Sequence, residues 1–346
     1  MSRVAVVLLN LGGPDSLDAV EPFLRNLFRD PAIIRAPAPI RHFIARLIAR
    51  RRGPKARDIY RRIGGGSPLL AETEAQAAAL ARALDDLGRI EVAIAMRYWH
   101  PMSEAAARQV AAFRPDRIVL LPLYPQFSTT TTASSLAAWR AAAQAAGIAA
   151  PTAAICCYPY ADGLVEAHAQ LIEPVLAAAN EAGEPRLLFS AHGLPKKVVA
   201  RGDPYQWQVE KTARRIVARL GVEALDWTVC YQSKVGPLAW LEPSIADEIE
   251  RAGRDRVPVV VVPIAFVSEH SETLVELDIT YRDHARAAGV PAYHRVPALG
   301  TQPSFIAALA DLVRGAANSG GGGGVDSGEG GRLCPGAHRC CPLAAR

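Results

Sequence analysis

Two stretches decide the fold, residues 6–14 (VVLLNLGGP) and residues 187–195 (LLFSAHGLP), because each is an apolar run that ends in a glycine turn. A second pair corresponds in the same way: residues 117–123 (RIVLLPL) and 259–264 (VVVVPI) are apolar and break off at proline. Short continuous apolar runs bounded by turn residues are typical of strands buried in parallel sheets. This loose repeat predicts two related α/β halves, in which ligands bind at the carboxyl ends of the strands.

Alanine-rich helical stretches alternate with these strands, as in doubly wound α/β folds. The predicted strands are residues 3–9, 91–97, 117–123, 153–157, 186–191, 226–231, 257–264 and 292–295. The predicted helices are residues 70–86, 103–113, 134–146, 163–181, 205–219, 243–251, 271–288 and 303–314. We expect two pseudo-symmetric halves, residues 1–160 and 161–314, with one ligand cleft between them.

The first half contains an insertion at about residues 20–65, because the span from Gly13 to Arg97 is longer than the matching span from Gly193 to Gln232. Apolar residues at helical spacing share one face of this insertion: Ile40, Phe43, Ile44, Leu47 and Ile48. Arginines occupy the rest: Arg41, Arg46, Arg50, Arg51 and Arg52. Two interpretations stay open, a surface helix that covers the core and a lip that touches a membrane and caps a greasy ligand.

The composition changes near the carboxyl end of the chain. Residues 315–331 are rich in Gly, Ser and Asp, which is typical of a flexible tether, so we expect the folded body to end near residue 314. The tail at 332–346 contains Cys334, Cys340 and Cys341, and Cys156 and Cys157 are adjacent in the first half. In a reducing compartment, clustered cysteines favour a metal or cluster over disulfides.

Charge and hydropathy limit the partners. The chain of 346 residues has a net charge of +5, which gives no reason to expect nucleic acid and is compatible with an acidic small molecule or an anionic membrane surface. The apolar run at residues 3–9 is too short for a signal peptide and lacks a cleavage site, so we expect a cytoplasmic protein. No apolar stretch reaches the roughly 18 residues of a membrane span, so any membrane contact is peripheral.

Candidate catalytic residues follow two of the predicted strands. His192 ends the strand at 186–191, where a neutral imidazole can act as a base or a metal ligand. After the strand at 257–264, Glu269, Glu272 and Glu276 are spaced to line one helical face beside His192. A structural histidine and a solvated acidic face near a helix N-terminus are the alternatives.

Further residues suit a flat acidic ligand. The glycine run at 64–66 brings backbone amides close to an anion, and Tyr60, Arg97, Tyr124 and Trp240 lie near turns. Core packing or surface ion pairing is the alternative for each of these four side chains.

At these motifs the sequence resembles the ferrochelatases, which insert ferrous iron into porphyrin as the last step of haem synthesis. The resemblance covers roughly residues 3–314 and rests on four blocks. They are residues 188–195 (LFSAHGLP) continuing to 201–205 (RGDPY), 60–68 (YRRIGGGSP), 232–237 (QSKVGP), and 263–266 (PIAF) continuing to 276–278 (ELD).

The resemblance implies two Rossmann-like halves around a porphyrin cleft and assigns roles to residues. His192 matches the family's active-site histidine, which takes pyrrole protons or delivers iron, and Glu272 matches its partner acid. Glu269, His270 and Glu276 match a proton or metal path. The residues implied around the macrocycle are Tyr60, Ser67, Arg97, Tyr124 and Trp240.

The long greasy segment at residues 33–50 of the insertion resembles the lip of members that use protoporphyrin IX, so the resemblance favours that substrate over coproporphyrin III. A carrier that binds haem or porphyrin without catalysis stays open, as does a chelatase acting on sirohydrochlorin. Resemblance to members with a cysteine tail also suggests that this chain forms a homodimer.

Some family members carry a [2Fe–2S] cluster, which implies Cys334, Cys340, Cys341 and one of Cys156 and Cys157 as ligands. This chain departs from the animal pattern: Thr129 and Thr130 stand where animals place the body cysteine, and the tail spacing is tighter. A zinc site and an unligated tail are the alternatives.

Overall fold

The computed structural model describes residues 2–318 and 324–344. The chain forms two compact units, the first comprising Met1–Cys157 and Leu309–Gly331 and the second Tyr158–Ala308 and Arg332–Arg346. The chain therefore leaves the first unit, returns to it near residue 309, and ends in the second unit.

Within the described residues, the strands are β1 (Arg3–Asn10), β2 (Arg89–Met96), β3 (Arg117–Pro122), β4 (Thr152–Ile155), β5 (Arg186–His192), β6 (Trp227–Gln232), β7 (Val259–Pro263), β8 (Tyr293–Arg295) and β9 (Val325–Asp326). The α-helices are α1 (Val20–Arg29), α2 (Ala38–Arg61), α3 (Leu69–Ala83), α4 (Ser103–Phe113), α5 (Thr132–Ala145), α6 (Asp162–Ala179), α7 (Lys196–Ala200), α8 (Tyr205–Leu220), α9 (Ile245–Asp255), α10 (Arg282–Ala287) and α11 (Pro303–Asn318). A π-helix spans Glu272–Tyr281, and single 3₁₀ turns span Asp85–Leu87 and Asn180–Ala182.

Each unit contains one parallel sheet. The strand order is β2-β1-β3-β4-β9 in the first sheet and β6-β5-β7-β8 in the second. The first four strands of each sheet thus have the same order, and β1 corresponds to β5 and β3 to β7, as the sequence repeat predicts. The predicted α/β class with two related parallel sheets is confirmed.

Helices cover both faces of the second sheet, which explains its uninterrupted apolar strands. Phe189 and Leu187 pack against α6 and α8, whereas Leu188 packs against α9 and α10 on the other face. In the first sheet, alternate residues of β1 pack against α4 and α5, and the residues between them are also buried. The core of each unit therefore holds the carboxyl ends of its strands in fixed positions.

The insertion between β1 and β2 folds into α1 and α2. The buried face of α2 consists of small residues, Ala45, Ala49 and Gly53, which allow close packing. Its apolar residues Ile40, Phe43 and Leu47 are instead exposed, Phe43 by 70%. These three side chains therefore do not cover the core, whereas the same helix packs on it through Ala49 and Tyr60.

The segment after residue 314 is more ordered than the predicted tether. Helix α11 continues to Asn318, and β9 pairs in parallel with β4, Ala154 opposite Val325. Composition alone missed β9 because two paired residues suffice to extend an existing sheet edge. Residues 319–323, which belong to the predicted tether, lie outside the described part of the chain. Among the helices of residues 2–318 and 324–344, none combines the length and hydropathy that a membrane span requires.

Candidate active site

His192 is the last residue of β5, and its imidazole Nδ1 lies 2.9 Å from Oε2 of Glu272. The two side chains are partly exposed, 37% for His192 and 28% for Glu272. Gly193 follows His192 at a point where other residues come close to the backbone, since a Cβ there would lie 3.0 Å from the Gln232 carbonyl oxygen and 3.2 Å from the Trp240 ring. The buried strand thus delivers His192 to an accessible edge of the sheet.

Glu272 begins the π-helix, and His270 caps its first turn. His270 Nδ1 accepts hydrogen bonds from the backbone N–H groups of Glu272 (3.1 Å) and Thr273 (3.3 Å). Burial lowers the pKa of His270, which keeps the ring neutral and able to accept at Nδ1. A π-helix is rare and is often found at functional sites. His270 therefore orients Glu272 through the backbone.

Glu276 is the second carboxylate of the π-helix and binds to the end of β6. Ser233 Oγ donates to Glu276 Oε2 at 2.6 Å, and Gln232 Nε2 donates to the same oxygen at 3.3 Å. Gln232 also donates to the Glu272 carbonyl oxygen at 3.2 Å and accepts from Ser190 Oγ at 2.7 Å. Sequence reasoning quoted Gln232 and Ser233 only as part of a family block. Their position just after a buried strand was the signal that could have identified them.

The charges of these groups depend on one another. Burial opposes the ionisation of Glu272, but the charge and hydrogen bond of His192 lower its pKa to about 2. Burial would lower the pKa of His192, yet the charge and hydrogen bond of Glu272 raise it above its ordinary value. Burial and the nearby Glu272 charge raise the pKa of Glu276. The site thus places an ionised carboxylate, a basic imidazole and a carboxyl with raised pKa side by side, an arrangement suited to proton transfer.

Glu269 has a different environment from the other two glutamates. It precedes the π-helix, and its Oε1 accepts from Arg295 Nη1 (2.7 Å) and from the Ala298 N–H (2.9 Å). Arg295 also makes a two-point ion pair with Asp278 at 2.8 and 2.7 Å. The predicted row of three carboxylates on one helical face is therefore wrong at Glu269, because the helix starts three residues later. Glu272 and Glu276 remain as its helical members.

Four of the predicted ligand residues belong to the first unit. Arg97 directly follows β2, and its guanidinium lies 2.9 Å from Asp30 and donates to Ser134 Oγ at 2.6 Å. Tyr124 follows β3, and its hydroxyl lies 3.5 Å from Ser135 Oγ. The first turn of α5 therefore supports both side chains.

Ser67 and Tyr60 flank the glycine run. The Ser67 N–H donates to the Pro14 carbonyl oxygen at 2.7 Å, which places it on the turn after β1. Tyr60 ends the buried face of α2, and its carbonyl oxygen accepts from the Gly65 N–H at 2.9 Å. Trp240 belongs to the second unit, where its indole N–H donates to the Val235 carbonyl oxygen at 3.0 Å beside Gly193.

The cysteines are divided between the two units. Cys156 and Cys157 are buried just after β4 of the first unit, with their Sγ atoms 3.6 Å apart. In the second unit, Cys334 Sγ accepts from Gln208 Nε2 at 3.2 Å, and Cys340 Sγ lies 3.4 Å from the Arg201 carbonyl oxygen. Within residues 2–318 and 324–344, no group of three or more His, Cys, Asp or Glu side chains is arranged to hold a metal ion.

Comparison with known proteins connects this geometry to a family. The family model described as Ferrochelatase matches residues 3–317. The chain is 56% identical over 315 residues to a protein named Ferrochelatase from Caulobacter vibrioides, covering 90% of each chain. It is 52% identical over 343 residues to one from Phenylobacterium zucineum, covering 98% of this chain and 97% of the other.

Among solved structures, the fold is similar to the sirohydrochlorin chelatase SirB from Bacillus subtilis subspecies spizizenii in complex with cobalt, with a TM-score of 0.54 and 12% identity. That match covers 92% of this chain and 97% of the other. At this identity the likeness concerns the fold alone, whereas the family follows from the family model and the two relatives named Ferrochelatase. With its family model matched from residue 3 to residue 317, the chain belongs to the ferrochelatase family.

Proposed function

We propose that this protein inserts ferrous iron into protoporphyrin IX to make protohaem, the terminal step of haem synthesis. The observation that carries this proposal is the 2.9 Å contact between His192 and Glu272 at the end of a buried strand. Family membership supports the reaction class, and the exposed apolar residues of α2 support a greasy porphyrin as substrate.

The reaction releases two protons for each iron inserted, because the two pyrrole N–H groups of the free porphyrin must be deprotonated. Glu272 faces Nδ1 of His192, so the Nδ1–H of the neutral imidazole donates a hydrogen bond to the carboxylate and the lone pair is on Nε2. We assign Nε2 as the acceptor of a pyrrole proton. The ionised Glu272 then stabilises the imidazolium that forms.

Glu276 is the next acceptor on this route. Its raised pKa makes it a better proton acceptor than an ordinary glutamate, and the Ser233 hydroxyl and Gln232 amide hold its carboxylate in place. We assign His270 a positioning role through the backbone of Glu272. The assignment of Glu269 to the same path rests on resemblance alone, since its Oε1 is paired with Arg295.

Porphyrin binding is assigned to Tyr60, Ser67, Arg97, Tyr124 and Trp240. Arg97 and Tyr124 support this assignment because they follow the carboxyl ends of β2 and β3, the edge at which open α/β sheets bind ligands. A guanidinium suits a propionate, and aromatic rings suit the faces of a flat macrocycle.

The exposed face of α2, formed by Ile40, Phe43 and Leu47, is assigned two functions. It covers the vinyl edge of the porphyrin, and it rests on the anionic inner face of the cytoplasmic membrane. Arg46 and Arg50 lie exposed on the same helix, which is the charge pattern of an interfacial helix. The membrane contact is peripheral and does not require a homodimer. Sedimentation equilibrium tests separately whether the protein forms a homodimer.

A [2Fe–2S] cluster fits the cysteines of this chain by their number but not by their arrangement in the described residues. The number and type of side chains fit, since Cys334, Cys340 and Cys341 with Cys156 or Cys157 provide four thiols. Their arrangement does not, because no three of them are grouped to hold a metal within the described residues. No step of the reaction is derived from a cluster. Visible absorption bands with iron and sulfide in anaerobically purified protein would establish it.

The deciding experiment is anaerobic insertion of ferrous iron into protoporphyrin IX, with coproporphyrin III measured in parallel. We expect faster haem formation from protoporphyrin, and loss of insertion in His192→Ala but not in His284→Ala, a half-exposed histidine on α10. Preference for coproporphyrin would overturn the substrate assignment and keep the reaction class. Tight binding of porphyrin without insertion would instead identify a carrier.

A further inference from the structure

Asp30 is a buried carboxylate at the point where α1 ends and the chain leads into α2. Its side chain is 2% exposed. Oδ1 accepts from the Ala32 N–H at 2.8 Å, and the Asp30 carbonyl oxygen accepts from the N–H groups of Ile33 (3.1 Å) and Ile34 (2.9 Å). Asp30 thereby determines the path of residues 31–37, the connection that precedes the exposed apolar face of α2.

The second oxygen of Asp30 binds residues from β2 and α5. Oδ2 accepts from the Tyr98 hydroxyl at 2.7 Å, lies 2.9 Å from Arg97 Nη2, and accepts from the Ser134 hydroxyl. Ser134 Oγ in turn accepts from Arg97 Nε at 2.6 Å. Two nitrogens of one guanidinium are thus fixed by a buried carboxylate and the hydroxyl bound to it.

This arrangement determines the direction of Arg97. An arginine side chain has many rotamers, and holding it in one before the ligand arrives reduces the entropy lost on binding. The Arg97 side chain stays 22% exposed although Asp30 is buried, so part of the group remains accessible. A buried carboxylate is costly without partners, and here the partners of Oδ2 come from the end of β2 and the first turn of α5.

We propose that Asp30 is a positioning residue for porphyrin binding, which fixes Arg97 and ties it to residues 31–37, the connection that leads into α2 of the lip. The proposal rests on the function assigned to Arg97 above. One carboxylate thereby couples the conformation of this connection to the orientation of an arginine that is assigned to porphyrin binding.

Asp30→Asn tests this, because the amide keeps the size and removes the charge. We expect the KM for porphyrin to rise about tenfold, with kcat and the KM for ferrous iron nearly unchanged. Asp116→Asn is the matched control: Asp116 is exposed, lies in the same unit and accepts from the Arg3 N–H at 2.7 Å. We expect no change in porphyrin KM for this variant.

A double-mutant cycle with Arg97→Ala separates positioning from a general structural role. If Asp30 acts through Arg97, Asp30→Asn adds nothing to the porphyrin KM of Arg97→Ala. If the increases in porphyrin KM of the two single variants multiply in the double variant, the inference is overturned while the assigned role of Arg97 stays intact. An Arg97→Ala variant with unchanged porphyrin binding would instead remove that assigned role. Should Asp30→Asn fail to fold, Ser134→Ala, which keeps the buried charge, takes its place in the same cycle.

Discussion

Ser233 donates a 2.6 Å hydrogen bond to the carboxylate of Glu276 from a backbone held at a φ of +65°. A residue with a side chain rarely adopts this left-handed conformation, and such strain is concentrated at functional sites. The strained turn after β6 is what directs the hydroxyl at the second carboxylate of the π-helix.

Replacing Ser233 with Ala or Gly tests this relationship. Both variants remove the hydroxyl, so we expect kcat to fall about tenfold in each while the porphyrin KM stays constant. Glycine tolerates the backbone conformation and alanine does not, so the Gly variant should be more stable by about 1 kcal/mol in urea unfolding. Equal activity of the wild type and the Gly variant would show that the hydroxyl is not needed.

Glu272→Gln should move the acidic limb of the pH–rate profile. The charge of Glu272 raises the pKa of His192, so its removal leaves burial, which lowers that pKa. The limb of kcat/KM therefore shifts to lower pH, and kcat falls by about 100-fold because the imidazolium loses its partner. If the acidic limb of kcat/KM stays at the same pH, the group that titrates in the rate is not His192.

The same pair affects stability in a defined pH window. The raised pKa of His192 adds stability below its usual 6.5, which is lost as the pH rises through the folded value. The lowered pKa of Glu272 adds stability above its usual 4.5, which is lost as the pH falls toward about 2. Urea unfolding of wild type and Glu272→Gln should therefore differ most between pH 4.5 and 6.5.

Gly202→Ala should displace the cysteine tail, residues 332–344. Gly202 has a φ of +100°, and a Cβ there would lie 2.7 Å from the backbone nitrogen of Arg339. We expect Cys334, now 5% exposed, to react faster with a thiol reagent in this variant. Gly236→Ala is the control, since Gly236 has a φ of +70° but no atom within 4 Å of the added Cβ. Equal thiol reactivity in both variants would contradict the packing of the cysteine tail against Gly202.

Phe43→Asp should weaken membrane binding without unfolding the protein. The ring is 70% exposed, so the change in unfolding free energy should stay within about 0.5 kcal/mol. Loss of one buried Phe predicts roughly 30-fold weaker sedimentation with anionic vesicles. Val222→Asp, at an exposed position of the second unit, is the control. A changed porphyrin KM with unchanged vesicle binding would assign α2 to the ligand alone.

The strands could be predicted from sequence because strands covered on both faces are continuously apolar, as β5 and β7 show. The π-helix could not, because apolar periodicity does not specify whether a backbone N–H bonds four or five residues back. The position of Glu269 was wrong for a different reason, since the helix starts three residues after it. The partner of Arg97 was also missed, since Asp30 is distant in sequence and its own neighbours give no hint of burial.

The path of the chain between its two units has a consequence for how the protein is made. Helix α11 from Leu309 onward and strand β9 belong to the first unit, yet they follow Tyr158–Ala308 of the second unit in sequence. On a ribosome, the first sheet cannot acquire its edge strand until the second unit has been synthesised. A single cut between Cys157 and Tyr158 would leave the first fragment without Leu309–Gly331 of its unit, whereas the second fragment would keep both segments of its own unit. The two units thus share a strand order, but the first unit cannot be completed before residues 158–308 of the second have been synthesised.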